Sequence, residues 1–415
     1  MRFIADLHLH SKYSRATSPQ ADLEHYAQSA KEKGILVIGT GDFTHPLWFE
    51  EIKEKLEPAQ PGLFKLKNST NPTRFLLSTE ISCIYSKNGA LRKIHLLIFA
   101  PSIEVVEKIN TQLGWIGNLK ADGRPTLGLE AKELTKIVLN ICSECLVVPA
   151  HIWTPWFSLF GSRSGFDSIE ECFEEYSKYI YAGETGLSSD PPMNWRVSFL
   201  DKITLISNSD AHSPQKLGRE ANVFDTDLSY QGIVEAIKNK DKEKFLYTIE
   251  FYPEEGKYHF DGHRNCNVKL SPKEAKKYNN LCPVCGKPLT LGVLHRVEEL
   301  ADREEGFIPQ DAIPYKSLVP LEEIIAEALS QSPGTKEVLK EYQNLIGEFG
   351  SEFEVLLNVS EGDLKSATLP EIAQGIIRVR KGEVKIEPGF DGVFGKVRIF
   401  SEAEIEKSFG QKTLF

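Results

Sequence analysis

The chain has 415 residues, a formal net charge of −10 and 41 % hydrophobic residues, the composition of a globular protein of two or three domains. It contains no run of about 18 apolar residues, so the sequence predicts no membrane-spanning helix and no membrane partner. The acidic balance argues against a protein that coats nucleic acid by bulk charge, but it allows a nuclease with acidic metal ligands and a local basic groove.

Short apolar runs alternate with longer charged segments in the first half of the chain. Strands are predicted at 2–7, 35–39, 75–79, 94–99, 145–149, 179–183 and 203–207, and helices at 21–33, 46–57, 101–113, 129–142 and 168–178. Strands that alternate with helices predict parallel pairing and an α/β sheet or barrel.

Metal-type ligands follow six of the seven apolar runs. In chain order these ligands are His8, His10, Asp42, Glu80, His151, Glu184, Asp210 and His212. Residues two apart on a strand share a face, so His8 and His10 project together. The carboxyl ends of barrel strands meet on one face, where we expect these side chains to converge on metal ions. Solvated polar residues at strand ends are the alternative interpretation.

Three further residues near these strand ends have open roles. His95 lies near the start of its run and fits a metal ligand or a buried core histidine equally well; it is included in the predicted ligand set. His45 fits a contact behind the ligands, a substrate contact or coordination. Asp190 precedes two prolines and fits a ligand, a general acid or base, or a turn residue. Asp190, Glu184 and Asp210 are the predicted catalytic side chains.

The loop after His151 is rich in aromatic residues. Trp153, Trp156 and Phe157 are predicted to stack on a nucleobase, and Arg163 is predicted to bind a phosphate. The alternative is a lid that packs on the barrel rim through its own aromatic side chains.

The ligand motifs resemble those of the PHP superfamily of phosphoesterases. The motifs are Asp6-Leu-His8-Leu-His10-Ser, Asp42 after its strand, Glu80, Pro-Ala-His151 and Asn208-Ser-Asp210-Ala-His212. The resemblance implies a distorted seven-stranded (β/α) barrel over residues 1–250 and phosphoester hydrolysis at a cluster of two or three divalent ions. Mixed imidazole and carboxylate ligands indicate Zn or Mn, with Mg as a further candidate. The family usually has Thr-Asp-His where this chain has Thr40-Gly-Asp42.

Residues 251–300 contain two pairs of metal-type ligands with two-residue gaps. His263 with Cys266, and Cys282 with Cys285, fit one tetrahedral structural zinc site. His259 and His295 are alternatives to His263 as the histidine ligand. The odd number of cysteines in the chain does not indicate a disulfide framework, and no signal-peptide pattern opens the sequence. We therefore expect a cytoplasmic protein.

Residues 301–415 are predicted to form a mainly helical region, with helices from about 317, at 335–349 and at 368–381. The whole order of modules resembles the endonuclease Q family. The motifs behind this resemblance are Asp-Gly-His263-x-x-Cys266, Cys282-Pro-x-Cys285-Gly and Pro388-Gly-Phe-Asp-Gly-Val393. The resemblance implies a DNA repair endonuclease that cuts 5′ of deaminated bases (uracil, hypoxanthine, xanthine) and of abasic sites. Damaged DNA is then the expected partner, and other repair or replication proteins are a further class of partner.

Two other functions fit parts of the sequence. A PHP phosphatase that acts on a small phosphomonoester needs the same barrel metals, but it needs neither the zinc module nor the helical region. An inactive DNA-binding accessory protein needs the basic and aromatic surfaces, but it does not need a nearly complete ligand set. Salt dependence of DNA binding and bound metal content separate these classes.

Overall fold

The structure is a computed structural model that describes residues 1–401 and Glu404, and its largest element is a mixed sheet of eleven strands. The strands are β1 (Arg2–Asp6), β2 (Val37–Gly39), β3 (Leu56–Pro58), β4 (Phe64–Leu66), β5 (Arg74–Lys87), β6 (Ala90–Ala100), β7 (Thr126–Leu127), β8 (Leu146–Pro149), β9 (Ala182–Glu184), β10 (Thr204–Ile206), β11 (Ala221–Asp225), β12 (Phe245–Glu250), β13 (Asp261–His263), β14 (Val268–Leu270), β15 (Tyr315–Ser317), β16 (Lys385–Glu387) and β17 (Lys396–Arg398).

The helices flank this sheet and fill the second half of the chain. They are α1 (Leu23–Lys33), α2 (Pro46–Lys55), α3 (Ile103–Gly114), α4 (Ala131–Ile141), α5 (Ile169–Phe173), α6 (Pro191–Trp195), α7 (Tyr230–Lys238), α8 (Pro272–Lys277), α9 (Val293–Leu300), α10 (Leu321–Ala328), α11 (Lys336–Phe349), α12 (Glu352–Leu357), α13 (Glu361–Ala367) and α14 (Pro370–Lys381). Short 3₁₀ turns lie at Glu174–Tyr179, Ser198–Lys202, Pro214–Lys216, Pro253–Glu255 and Arg264–Cys266.

The sheet mixes parallel and antiparallel pairs, and β5–β7 and β12–β15 are among the parallel ones. β1 pairs in parallel with β2, and β2 with β5, whereas β1–β11, β5–β6 and β6–β8 are antiparallel. The predicted parallel pairing is therefore only partly right. The β5–β6 hairpin turns at Asn88 and Gly89, whose φ angles of 54° and 75° suit the Asn-Gly pair of a tight hairpin turn.

The ends of β1 and β10 meet beside this sheet. β9 and β10 form a separate parallel pair, and a bridge joins Leu9 to Ala211 just beyond the strands. The backbone N–H of Leu7 also donates to Oδ1 of Asn208 at 2.8 Å. These contacts bring the segment that carries His8 and His10 next to the segment that carries Asp210.

Helix α1 shows how local sequence covers the sheet with helices. Its N-cap Asp22 accepts a hydrogen bond from the backbone N–H of His25, and Gly34 ends the helix in the left-handed conformation with φ 82°. Its buried face carries Leu23, Tyr26, Ala27 and Ala30 at helical spacing. The five helices predicted in the first half of the chain and the helices predicted at 335–349 and 368–381 are all present, the fifth as α5 followed by a 3₁₀ turn.

The second half of the chain is attached to the first at several points. β15 pairs with β12 through Thr248 and Tyr315. The Nζ of Lys33 lies 3.0 Å from the carboxylate of Glu352, on α12. Helix α10 packs against both α11 and α14. Among the described residues, no helix has the length and apolarity needed to cross a membrane.

Candidate metal centre

Six of the predicted ligands lie in two groups of three, each with ligand atoms within 4.8 Å of one another. One group is His8, His10 and Asp210, and the other is Glu80, His95 and His151. Four of the six follow the strand ends as predicted, Glu80 lies within the longer β5, and His95 lies within β6. The His95 ring therefore lies within this cluster of candidate ligands.

The first group has atoms that lack hydrogen-bond partners. Nε2 of His8, Nε2 of His10 and Oδ1 of Asp210 are buried and make no hydrogen bond. The Asp210 oxygen nevertheless lies 3.4 Å from His8 and 3.1 Å from His10. Ligands of a tetrahedral ion with bonds of about 2 Å lie about 3.3 Å apart. The three atoms are therefore spaced as donors around one ion.

Glu80 joins the two groups. Its Oε1 lies 2.7 Å from Nδ1 of His95 and 3.0 Å from Nε2 of His151. Its Oε2 lies 3.2 Å from Nε2 of His10. A carboxylate with one oxygen toward each group is suited to bridging two metal ions.

The backbone leaves its strands sharply at this site. Asp42, His151 and Asp210 have positive φ angles of 47°, 31° and 48°. Such conformations are uncommon for residues other than glycine, and they concentrate at functional sites. In the first loop Gly41 is needed as well, since a Cβ there would lie 2.2 Å from the backbone oxygen of Leu9.

Two of the predicted ligands, Asp42 and Glu184, contact the backs of the imidazoles. Asp42 lies 2.9 Å from Nδ1 of His10, and its other oxygen accepts from Ser11 and Ser14. Glu184 lies 3.0 Å from Nδ1 of His8. It also accepts from the backbone N–H of His151 and the amide of Asn208. Carboxylates in such positions fix the tautomer and orientation of ligand histidines.

His212 and His45 lie at the edge of the two groups. The His212 ring is 4.6 Å from that of His10, centroid to centroid, and its Nδ1 lies 2.8 Å from the backbone oxygen of Asp210. His45 stacks on Tyr13 with the ring centroids 4.5 Å apart. Neither ring belongs to the two groups of three.

Arg124 enters the cluster, although sequence analysis did not identify it. Its Nη1 lies 3.0 Å from Oε2 of Glu80, and its side chain is 27 % exposed. No strand with a metal-type ligand at its end precedes it, so the pattern that revealed the histidines gave no signal for this residue.

Mutual attraction outweighs burial in the charge states of the cluster. Burial disfavours the charged form of each group. The carboxylates of Glu184 and Asp210 nonetheless raise the pKa of His8 well above its ordinary value, and His8 and His10 hold the pKa of Asp210 well below its own. Burial dominates only at His95, whose pKa falls to about 4. The negative charge of the carboxylates that stabilises the imidazolium forms also attracts divalent cations.

The aromatic loop is divided between core and surface. Trp153 is 1 % exposed and donates from Nε1 to Asn194, which corrects the expectation that it stacks on a nucleobase. Trp156 is 47 % exposed. The Phe157 ring lies 4.8 Å from the His95 ring, and Nζ of Lys93 lies over both Trp156 and Phe157. Arg163 is exposed on the same loop.

Asp190 is a helix cap. Its side chain accepts from the backbone N–H of Met193 at 2.9 Å and begins α6. Burial, together with the charge of Glu254, raises its pKa to about 7. It belongs to neither group of three ligands. The structure therefore places Asp190 as the turn residue that the sequence left open.

A separate cluster contains His263, Cys266, Cys282 and Cys285. Nδ1 of His263 lies 3.5 Å from Sγ of Cys285. The alternative histidines lie elsewhere: His295 pairs with Asp261 at 2.6 Å, and His259 stacks on Phe260. One imidazole and three thiols are a donor set that suits tetrahedral zinc.

Two family profiles match parts of the chain. The profile described as PHP-associated matches residues 202–241, and the one described as MJ0043 C-terminal domain matches residues 320–383. Uncharacterized protein MJ0043 of Methanocaldococcus jannaschii is 37 % identical over 59 % of this chain, and the match spans only 31 % of that relative's own length. Uncharacterized protein YqxK of Bacillus subtilis is 28 % identical over 89 % of this chain and 90 % of its own.

Two solved structures are similar over nearly the full length. The lesion-specific endonuclease PfuEndoQ from Pyrococcus furiosus is 31 % identical, with a TM-score of 0.86 over 98 % of this chain and 99 % of its own. An endonuclease Q complex with a 27-mer duplex that carries an abasic lesion at the active site is 32 % identical. Its TM-score is 0.84 over 97 % of this chain and 98 % of its own. The chain therefore belongs to the endonuclease Q family.

Proposed function

We propose that this protein is a metal-dependent DNA repair endonuclease that hydrolyses the phosphodiester 5′ of a damaged nucleotide. The observation that carries the proposal is the pair of ligand groups joined by Glu80, with buried donor atoms of His8, His10 and Asp210 left without hydrogen-bond partners. Ligands arranged in this way suit two neighbouring divalent ions, and the predicted third ion has His212 as a further candidate ligand.

The donor set fits metal ions of the Zn or Mn type, with Mg as a further candidate. When bound, such ions lower the pKa of a coordinated water and stabilise the charge on the phosphodiester oxygens. Asp42 and Glu184 keep His10 and His8 oriented toward the ions. Asp210, between the two histidines, is the residue that we assign to hold the attacking water.

The surface beside the centre supports DNA as the substrate. Trp156, with Lys93 over its ring, lies next to Phe157, and Phe157 contacts His95. An exposed ring and a half-buried ring beside a cation suit an unstacked base and its backbone. The similar enzyme complex carries an abasic lesion at its active site. We extend the proposed substrates to uracil, hypoxanthine and xanthine on the basis of the family resemblance.

The three-part organisation is also a proposal. β1, β2, β5, β6, β8, β9 and β10 are the strands of a seven-stranded barrel within residues 1–250. The Leu9–Ala211 bridge and the contact of β8 with β9 support its closure. We further propose that residues 251–300 form a structural zinc module held by His263, Cys266, Cys282 and Cys285, and that residues 301–415 form a mainly helical domain, of which residues 402, 403 and 405–415 lie outside the described residues. We place the protein in the cytoplasm, with repair or replication proteins as further partners.

Nicking of a labelled duplex with one lesion tests the function. Duplexes with deoxyuridine, deoxyinosine, deoxyxanthosine or an abasic site are incubated with Mg, Mn or Zn, beside an undamaged duplex and a small phosphomonoester. We expect one nick 5′ of the lesion. Phosphate release from the monoester without nicking would instead assign a phosphatase, and lesion binding without either reaction would assign an accessory protein.

Single substitutions in the centre test the mechanism. We expect His8→Ala, Glu80→Gln and Asp210→Asn each to reduce nicking at least about 100-fold, because each removes a donor to the metal ions. His25→Ala is the matched control, since His25 is 53 % exposed on α1. Unchanged nicking by the three variants would contradict a metal-ion mechanism at this site.

A further inference from the structure

Arg124 places a fixed positive charge inside a site built to bind cations. Within residues 1–401 and Glu404, it is the one lysine or arginine that forms an ion pair with a member of the two ligand groups, through Glu80 at 3.0 Å. The charge of Asp210 also acts on the guanidinium. Arginine stays protonated in proteins, so this charge repels the divalent ions that the same carboxylates attract.

The loop that carries Arg124 is fastened to the site on both sides. The backbone N–H of Gly123 donates to the oxygen of Tyr13 at 3.0 Å, and a Cβ on Gly123 would lie 2.2 Å from Oδ2 of Asp42. On the other side, the N–H of Ser82 donates to the oxygen of Pro125 at 3.0 Å. The backbone on both sides of Arg124 is therefore fixed beside the cluster, and Glu80 holds the guanidinium.

Most of the hydrogen-bonding capacity of this guanidinium remains available. It has five N–H donors in a planar fork, and Glu80 is the one hydrogen-bond acceptor recorded for it among the described residues. Its side chain is partly open to solvent. A positive charge with unused donors, partly open to solvent beside the metal ligands, is suited to an anion that enters there, and a phosphate accepts such a fork in a bidentate manner.

We propose that Arg124 is a catalytic residue that binds the non-bridging oxygens of the scissile phosphate. The proposal rests on the proposed nuclease function. In that reaction the water gives up a proton as its oxygen forms a bond to phosphorus, the bond from phosphorus to the leaving sugar oxygen breaks, and the leaving oxygen takes up one proton in exchange for the one that the water released. Arg124 neutralises the charge that collects on the non-bridging oxygens during this displacement.

Charge-neutral DNA tests the contact directly. The full-length protein is titrated with an abasic-site duplex in Ca²⁺ in place of added Mg²⁺ or Mn²⁺, with a denaturing gel to confirm that the DNA is uncut. The scissile phosphate is either natural or a methylphosphonate, and a second duplex carries the methylphosphonate three nucleotides away. The proteins are wild type, Arg124→Gln, Arg124→Lys and the control Arg15→Gln, whose side chain is 84 % exposed and pairs with Asp122 on the same loop.

We expect wild type to bind about tenfold more weakly when the scissile phosphate is neutral, the value of one charged hydrogen bond. Arg124→Gln should bind natural DNA about tenfold more weakly than wild type does. Its affinity should not fall further when the scissile phosphate is neutral, and the affinity of Arg124→Lys should lie between those of wild type and Arg124→Gln. Arg15→Gln should keep the wild-type response, and the distant methylphosphonate should leave the difference between wild type and Arg124→Gln in place.

Two results would overturn the contact. The first is that the loss of affinity from Arg124→Gln and the loss from the scissile methylphosphonate multiply when the two changes are combined. The second is that Arg124→Gln binds natural DNA as tightly as wild type. A role confined to orienting Glu80 would lower metal content in Arg124→Gln and leave the methylphosphonate effect intact. Failure of the nuclease function itself would look different, because wild type would then neither prefer nor nick lesion DNA.

Discussion

Arg296 on α9 donates from Nε to the backbone oxygen of Phe160 at 3.0 Å. Its Nη2 donates to the backbone oxygen of Phe166 at 3.2 Å and pairs with Asp167. The helix that follows the Cys/His cluster thus holds the aromatic loop at two points. Because Trp156 and Phe157 lie on this loop beside His95, the second module of the chain supports the surface of the metal centre.

Arg296→Gln should loosen the aromatic loop. Loss of two hydrogen bonds to the loop backbone, each with a net value of about 1 kcal/mol, removes about 2 kcal/mol and should weaken binding of a lesion duplex by up to about 30-fold. Fluorescence anisotropy with a labelled duplex measures the change. Arg303→Gln is the matched control, since Arg303 also donates to a backbone oxygen, that of Trp195, and pairs with Asp201. Equal losses from both variants would show a general effect on stability.

Cys285→Ser should remove one zinc ion per chain. Cys285 completes the cluster of one histidine and three cysteines. In a small zinc module, binding of the metal supplies a large part of the free energy of folding. We expect the melting temperature to fall by several degrees, with metal content measured by mass spectrometry. Cys142→Ser should keep its zinc, because Cys142 lies at the end of α4 outside the cluster. Equal zinc content in both variants would refute a zinc site here.

The sequence predicted the strand ends of the site well, for a physical reason. A buried strand must be apolar, so a His, Asp or Glu at its end stands out against the run that precedes it. This contrast identifies His8, His151 and Asp210, and it also identifies Glu80, whose predicted run ends there although β5 continues to Lys87; the structure brings the four together. The Asn88-Gly89 hairpin was missed, and with it the antiparallel β5–β6 pairing.

Other features depend on tertiary contacts that a linear pattern does not carry. Trp153 was predicted to face the substrate, but the amide of Asn194 satisfies its indole in the interior. Arg124 lies on an irregular loop, whose position depends on backbone hydrogen bonds to Tyr13 and Ser82 and on the close approach of Gly123 to Asp42. The roles of the carboxylates also depend on atomic distances. Glu80 lies between the two ligand groups, whereas Asp42 and Glu184 lie behind the histidine rings.

Asp190 should act on stability and leave catalysis intact. Its carboxylate caps α6, and loss of an N-cap costs about 1 kcal/mol of folding free energy. We expect Asp190→Ala to be destabilised by this amount in urea unfolding, whereas Asp190→Asn, with a side chain that also caps helices, should unfold like wild type. Both variants should nick a lesion duplex within about twofold of wild type. A loss of nicking in Asp190→Asn above about tenfold would restore a catalytic role.

Glu250 should make the folded state less stable as the pH rises toward neutrality. Burial raises the pKa of its carboxyl group to about 7, and the charge of Asp190 adds to this effect. The unfolded chain releases the proton near the ordinary pKa of about 4.5, whereas the folded protein keeps it until about pH 7. The stabilisation is therefore complete below about pH 4.5 and is lost between about pH 4.5 and 7.

Glu250→Gln should remove this pH dependence, because the glutamine amide resembles the protonated acid. We expect the variant to gain about 3 kcal/mol relative to wild type between pH 4.5 and 8, the free energy that corresponds to the raised pKa. Urea unfolding at both pH values measures the difference, and Glu243→Gln is the control because Glu243 is exposed. A constant difference between Glu250→Gln and wild type at both pH values would show that the pKa of Glu250 is not raised in the folded protein.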